Sequence, residues 1–220
     1  IRFSAMGDVA MVVPVVYSLA RQYPHVRITV LSRAFARPLF EGLAPNVNFM
    51  AADLKHEYHG LKGLNTLYRR LAAKQFTAIA DLHNVLRSEF LRVRFNLDCY
   101  RVEHINKHRR GRRRLVATTG KQLVQQPTPF QNYVEVFERL GYSVNIQFTS
   151  IFANTPTGKG DLNLLPTAIT SLLSEKAIGI APFAAHKGKT YPPELMEEVI
   201  GMLCQQHPDV PIFLFGRGEQ

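Results

Sequence analysis

The chain has 220 residues, of which 46% are hydrophobic and 20% charged, and its net charge is +10. This composition is typical of a folded globular protein and excludes a disordered or low-complexity chain. The longest apolar run, residues 9–16, is too short for a membrane span, and two cysteines exclude a disulfide framework, so we expect a cytoplasmic protein in a reducing compartment.

The first predicted element is a short apolar strand that ends at Ser4 and is followed by Gly7, Asp8 and a predicted helix over residues 9–22. Polar residues at the carboxyl ends of strands carry the chemistry of open α/β sheets, so Asp8 is a candidate catalytic acid or base. Gly7 would let a substrate approach the backbone closely. On this motif alone, the commoner interpretation is that Asp8 only caps the helix.

Strands and helices then alternate, which predicts a parallel α/β sheet. Strands are predicted at 26–31, 47–50, 78–82 and 100–105, and helices at 61–74 and 130–140. The segment 154–160 is rich in turn formers and predicts a link between domains, followed by a helix over 162–175.

The most basic segment is 107–114, which includes Arg112, Arg113 and Arg114. A solvated loop and a surface that binds polyanions both fit such a run. Nucleic acid is not the expected partner, because no helix-turn-helix and no pattern of base-stacking aromatic residues accompanies the run.

A second strand and helix pair is predicted at 177–183 and 194–207, followed by a strand at 210–215. Lys187 and Lys189 lie in the connecting loop and Pro193 opens the helix, an arrangement that suits a phosphate group. Solvated lysines are equally typical there. The pattern is not a P-loop, because Phe183 stands where the first glycine is required. No Asp-x-Asp motif is present, and we expect neither a metal nor a cofactor.

Three motifs of this chain resemble, in the same order along the sequence, those of glycosyltransferase family 9, the ADP-heptose:lipopolysaccharide heptosyltransferases. Residues 2–9 (RFSAMGDV) resemble the family's strand and Gly-Asp turn, 81–88 (DLHNVLRS) resemble its Asp-Leu-Gln-x-x-x-Arg-Ser segment, and 189–192 (KTYP) resemble its Lys-Arg-Trp-Pro. This chain departs from the family pattern at His83, Thr190 and Tyr191.

The resemblance implies an α/β fold of GT-B architecture with two Rossmann-like domains, the second incomplete in this chain. The expected acceptor-side domain is 1–155, the linker 156–176, and the start of the nucleotide-sugar domain 177–220. The implied activity is inverting, metal-independent transfer of a heptose or similar sugar from an ADP-sugar to a lipopolysaccharide core acceptor in bacteria. The alternative is a basic α/β module without catalytic activity that binds nucleic acid or an anionic membrane.

The resemblance also implies roles for single residues. Asp8 would be the catalytic base. The donor phosphates would be bound by Lys189, Ala184, Ala185 and His186. The anionic, lipid-linked acceptor, or the cytoplasmic face of the inner membrane, would contact Arg87, Arg112, Arg113 and Arg114.

Overall fold

The computed structural model describes residues 1–152, 160–172, 176–184 and 187–216. The chain divides into two compact units, Ile1–Lys159 and Gly160–Gln220. This division falls inside the predicted linker, part of which lies outside the described residues. In the described ranges, no helix has the length and apolar character needed to cross a bilayer.

The described part of the first unit, residues 1–152, contains four short strands and seven α-helices. The strands are β1 (Ile28–Ser32), β2 (Val47–Ala51), β3 (Ala78–Asp81) and β4 (Arg101–His104). The helices are α1 (Met6–Ala10), α2 (Val13–Gln22), α3 (Arg37–Phe40), α4 (Gly60–Ala72), α5 (Leu86–Leu97), α6 (Arg109–Leu115) and α7 (Pro129–Arg139), and a 3₁₀ turn covers Ala34–Ala36.

Residues 1–3 connect two parallel strand pairs, β1 with β2 and β3 with β4. The backbone N–H of Arg2 donates to the Leu31 carbonyl at 3.0 Å, and the N–H of Leu82 donates to the Ile1 carbonyl at 3.0 Å. Residues 1–3 thus occupy the central position between β1 and β3. Because the strands are parallel, the loops that follow them open at one edge, where open α/β sheets bind ligands.

Helical periodicity explains how the flanking helices pack. In α4 the buried side chains are Leu64, Leu67, Tyr68 and Leu71, the i, i+3, i+4, i+7 pattern of a helix with one apolar face. In α7 the buried apolar residues include Tyr133, Val136 and Phe137. The predicted helices at 61–74 and 130–140 are therefore confirmed.

Two predicted helices were wrong in extent, and proline explains both. The helix expected over 9–22 starts earlier, at Met6, so that Gly7 and Asp8 lie within it. It is broken into α1 and α2 because Pro14 has no N–H to donate to the carbonyl of Ala10. The helix expected over 162–175 is reduced to the 3₁₀ turn Leu162–Leu164 and the single turn α8 (Thr167–Thr170), which begins after Pro166. Residues 173–175 lie outside the described ranges.

The second unit also contains β5 (Ile178–Ile180), a 3₁₀ turn at Lys187–Lys189, α9 (Pro193–Gln206) and β6 (Ile212–Leu214). β5 and β6 pair in parallel, with Ile178 opposite Ile212. Pro193 begins α9, as predicted. Among the side chains described in this unit, none is fully buried.

Candidate functional site

Asp8 is in α1, at the sheet edge that follows residues 1–3. One carboxylate oxygen, Oδ2, lies 2.5 Å from the Nη2 atom of Arg2 and also accepts the N–H of Ala5 at 3.4 Å. The side chain of Asp8 is 45% exposed, whereas that of Arg2 is only 10% exposed. Asp8 therefore does more than cap α1. One oxygen of its carboxylate contacts the buried cation of Arg2, and the rest of the side chain is accessible to a ligand.

Arg2 connects Asp8 to the neighbouring strand. Its Nη1 atom donates to the carbonyl of Leu82 at 2.7 Å, and its buried Nε–H has no hydrogen-bond partner among the described residues. Tyr133 supports the same helix from another direction, because its hydroxyl donates to the Asp8 carbonyl at 3.2 Å. The sequence did not predict Arg2 as a site residue. A charged residue in a short apolar strand nevertheless indicates a buried, paired charge.

His83 packs against Phe3 and Ser4, at the start of residues 3–8, which lead from the sheet into the first turn of α1 and which we call the Asp8 loop. The N–H of Phe3 donates to its Nδ1 atom at 3.4 Å, so the ring proton is on Nε2, which lies 3.4 Å from the Ser4 hydroxyl. Burial, together with the positive charges of Arg2 and Lys107, lowers the pKa of His83 to about 4. The imidazole is therefore neutral at physiological pH and contacts Ser4 as a hydrogen-bond donor.

Asp81 shapes the turn between β3 and α5. It is fully buried, and its Oδ1 atom accepts the N–H groups of His83 and Asn84, both at 2.9 Å. Arg92 lies 3.8 Å from the other carboxylate oxygen. Asn84 has a φ of 49°, and its side chain donates to the Ile105 carbonyl at 3.0 Å. The 81–88 motif therefore has a structural part. Of the residues that match the family pattern, Asp81, Leu82, Arg87 and Ser88, only Arg87 is exposed.

A cavity of about 570 Å³ lies beside this turn. Its lining includes Asn84, Leu86, Glu89, Lys107 and Arg109. Burial lowers the pKa of Lys107, and the charges of Arg2 and Arg109 lower it further. The cavity therefore lies in a region of positive potential that favours an anion.

The basic run folds differently from the expected loop. Most of it forms α6, and Arg112, Arg113 and Arg114 are all exposed on that helix. The side chain of Arg114 donates to Gln122 at 3.3 Å. Gly7 is also exposed, and a Cβ atom there would meet nothing within 4 Å. Substrate contacts of Gly7 and of these arginines stay predictions.

In the second unit, Lys189 ends the 3₁₀ turn that precedes α9, and its side chain is exposed. Ala184 is exposed at the start of the same loop, while Ala185 and His186 lie outside the described residues. Donor-phosphate binding by this loop stays a prediction. Within the described ranges, no cluster of three or more His, Cys, Asp or Glu side chains could hold a metal ion.

No family model matches the chain. It is 30% identical over 91 residues to the lipopolysaccharide core heptosyltransferase OpsX of Haemophilus influenzae, a match that covers 41% of this chain and 25% of that protein. The chain thus spans only a quarter of this curated relative.

Solved structures match over almost the whole chain. The E. coli heptosyltransferase WaaC with ADP-2-deoxy-2-fluoro heptose matches with a TM-score of 0.66 at 17% identity, over 99% of this chain and 68% of WaaC. A glycosyltransferase family 9 protein of Veillonella parvula matches with a TM-score of 0.65 at 18% identity, over 97% and 61% of the two chains. WaaC with ADP matches with a TM-score of 0.59 at 17% identity, over 99% and 66%.

These matches confirm the predicted resemblance and the predicted fold class. The fold is α/β and is that of the GT-B glycosyltransferases of family 9. The proteins that the chain resembles are glycosyltransferases, two of them named as heptosyltransferases.

Proposed function

We propose that this protein is a glycosyltransferase that transfers a heptose or a similar sugar from an ADP-sugar to a lipopolysaccharide core acceptor. The observation that carries the proposal is the half-exposed carboxylate of Asp8, held at 2.5 Å by the buried Arg2 at the carboxyl edge of a parallel sheet. A fixed carboxylate with one open side meets the needs of a general base.

In the proposed reaction, the acceptor hydroxyl gives its proton to the free oxygen of Asp8 while its oxygen attacks the anomeric carbon. The bond between that carbon and the diphosphate breaks, and ADP leaves with the electron pair. Attack from the face opposite the leaving group inverts the anomeric configuration. Arg2 holds Oδ2 throughout, which leaves Oδ1 to receive the proton.

The leaving diphosphate needs positive charge. We assign this role to the loop before α9, where Lys189 is exposed and the helix presents its N-terminal N–H groups. Ala184, Ala185 and His186 belong to the same proposed phosphate site. With lysine and backbone N–H groups neutralising the charge, the transfer proceeds without a metal ion.

The proposed acceptor is anionic and lipid-linked. The exposed guanidinium groups of Arg87, Arg112, Arg113 and Arg114 are suited to its phosphate or carboxylate groups. In this proposal the protein works in the cytoplasm, at the surface of the inner membrane.

Transfer can be tested directly with ADP-heptose and a lipid-linked core acceptor. We expect release of ADP, a product of inverted anomeric configuration by NMR, and the same rate with and without EDTA. Because ADP binds the native state, it should also raise the melting temperature. The alternative, a basic module that binds polyanions, predicts stabilisation by heparin that disappears in salt, with no response to ADP. That result would overturn the proposed function.

A further inference from the structure

Helix α5 has two apolar faces. One belongs to the core, and on the other only Phe90 is partly buried against core side chains. Ser88, Leu91 and Phe95 are buried. On the opposite side of the helix, apolar residues recur at spacings of four, three and four, at Leu86, Phe90, Val93 and Leu97. We call these four residues the α5 stripe. Three of them are strongly exposed: Leu86 at 85%, Val93 at 50% and Leu97 at 71%.

A helix that covers a core normally turns polar side chains outwards. Single exposed apolar residues are common on protein surfaces, but a stripe that runs over three turns of one helix indicates a contact surface. The polar residues of α5 lie beside the stripe rather than on it, with Arg87 and Arg94 on one flank and Glu89 and Asn96 on the other. The outer face of α5 therefore resembles an amphipathic helix whose apolar side is turned outwards.

The stripe begins beside a dense group of cations. Leu86 lines the same cavity as Lys107 and Arg109. Lys107 in turn lies close enough to Arg112 for that charge to lower its pKa. Arg87 is exposed next to Leu86. Apolar and cationic groups thus adjoin at one end of α5.

We propose that the α5 stripe docks on an anionic lipid bilayer, with its leucine and valine side chains among the acyl chains and the adjoining cations at the lipid headgroups. Apolar side chains beside lysine and arginine are the combination by which helices bind in the plane of a membrane interface. Each cation near such a surface adds electrostatic attraction, and the apolar side chains add the burial of their own surface.

Charge favours a bilayer over a second copy of this chain as the occupant. The protein carries a net charge of +10, and the end of the stripe is flanked by Arg87, Lys107 and Arg109. Two copies that met through this face would bring like charges together, whereas an anionic bilayer supplies the opposite charge over its whole surface. The proposal rests on the proposed function only in that a lipid-linked acceptor brings the enzyme to a membrane.

Vesicle flotation tests the proposal. The protein is mixed with vesicles of equal parts phosphatidylglycerol and phosphatidylcholine, and with vesicles of phosphatidylcholine alone. The test variant combines Leu86→Ser, Val93→Ser and Leu97→Ser. The matched control combines Leu61→Ser, Leu123→Ser and Leu164→Ser, which are also exposed leucines but on other segments. Circular dichroism and melting temperature establish that both variants are folded.

We expect the test variant to lose about 10-fold or more in affinity for the anionic vesicles, because three apolar anchors are removed, while the control binds like the parent. The parent should bind phosphatidylcholine vesicles much more weakly. Equal binding of parent and test variant would overturn the proposal. So would a parent that forms dimers by light scattering, if the test variant is monomeric and binds vesicles normally.

Sugar transfer separates this proposal from the proposed function. On a water-soluble acceptor fragment without acyl chains, the double variant Val93→Ser and Leu97→Ser, which leaves the lining of the cavity beside Leu86 and Lys107 unchanged, should transfer sugar at the parent rate. If no variant, including the parent, transfers sugar but the parent floats with anionic vesicles and the test variant does not, the proposed function fails and the docking surface stands.

Discussion

The loop that carries Asp8 and the loop that carries Lys189 are held in opposite ways. Asp8 contacts the buried Arg2, and the start of its loop packs against His83. Lys189 lies on an exposed 3₁₀ turn in a unit whose described side chains include none that is fully buried. Substitutions of Arg2 and His83, the buried residues that contact the Asp8 loop, should therefore change stability, whereas substitutions at the Lys189 loop should change ligand binding alone.

The largest expected effect is that of Asp8→Asn. Asparagine keeps an oxygen that can accept from Arg2 and from the Ala5 N–H but cannot take the acceptor proton. We expect the turnover number to fall about 100-fold or more, with little change in melting temperature, measured by ADP release and differential scanning fluorimetry. Asp53→Asn, at an exposed carboxylate on another loop, is the control. Near-parental turnover of Asp8→Asn would exclude the base role.

Acid should destabilise the Asp8 loop through His83. Its pKa is about 4 in the folded protein against an ordinary 6.5, so the unfolded chain binds the proton first as pH falls. Stability should be lost from about pH 6.5 downwards, and the loss should be complete below about 4, where it amounts to about 3 kcal/mol.

Urea unfolding at several pH values measures this loss. His83→Gln should show a smaller acid sensitivity than the parent, because glutamine can accept from the Phe3 N–H and donate to Ser4 without titrating. His25→Gln, at an exposed histidine, should behave like the parent. Identical pH dependence for His83→Gln and the parent would show that His83 is not the group responsible.

Lys189→Ala tests the exposed loop before α9. We expect it to weaken ADP binding by about 1.5 to 3 kcal/mol, the range for a hydrogen bond to a charged group, without any change in melting temperature. Isothermal titration calorimetry with ADP measures the affinity, and Lys187→Ala should lose much less. A larger loss in Lys187→Ala would assign the phosphate to the other lysine.

Arg2→Met removes the cation beneath Asp8 but keeps an unbranched side chain. We expect a loss of about 1 to 2 kcal/mol in the free energy of unfolding, since the buried Leu82 carbonyl loses its donor. The turnover number should fall about 10-fold, with donor KM unchanged, because Asp8 is less well positioned. Arg21→Met, at an exposed arginine of α2, is the control. Full turnover in Arg2→Met would mean that Asp8 needs no such support.

The smallest expected effect is that of replacing Arg112, Arg113 and Arg114 together by alanine. These side chains are exposed on α6, so stability should hold while acceptor KM rises about 3- to 10-fold and donor affinity stays the same. Steady-state kinetics with each substrate varied in turn measures both. Unchanged acceptor KM would leave the basic run as a solvated helix.

Local sequence predicted a good part of the site. Gly7 and Asp8 after an apolar segment indicated the edge of the sheet, and both residues lie there, although within α1 rather than in a turn before a helix. The turn before Pro193 was likewise predicted from residues close together in the chain. By contrast, Arg2 and His83 were not predicted as partners of the Asp8 loop. Arg2 is close to Asp8 in the chain, but the Leu82 carbonyl that positions it, like His83, lies about 80 residues away.

The sequence by itself determined features that depend on short stretches of chain. These are the alternation of strands and helices, the buried faces of α4 and α7, and the helix start at Pro193. The tertiary structure alone decided where residues 1–3 lie between β1 and β3, and therefore which cation supports Asp8 and why His83 is neutral. The physical reason is that periodicity and proline act over a few residues, whereas burial, desolvation and ion pairing depend on which distant segments the sheet brings together.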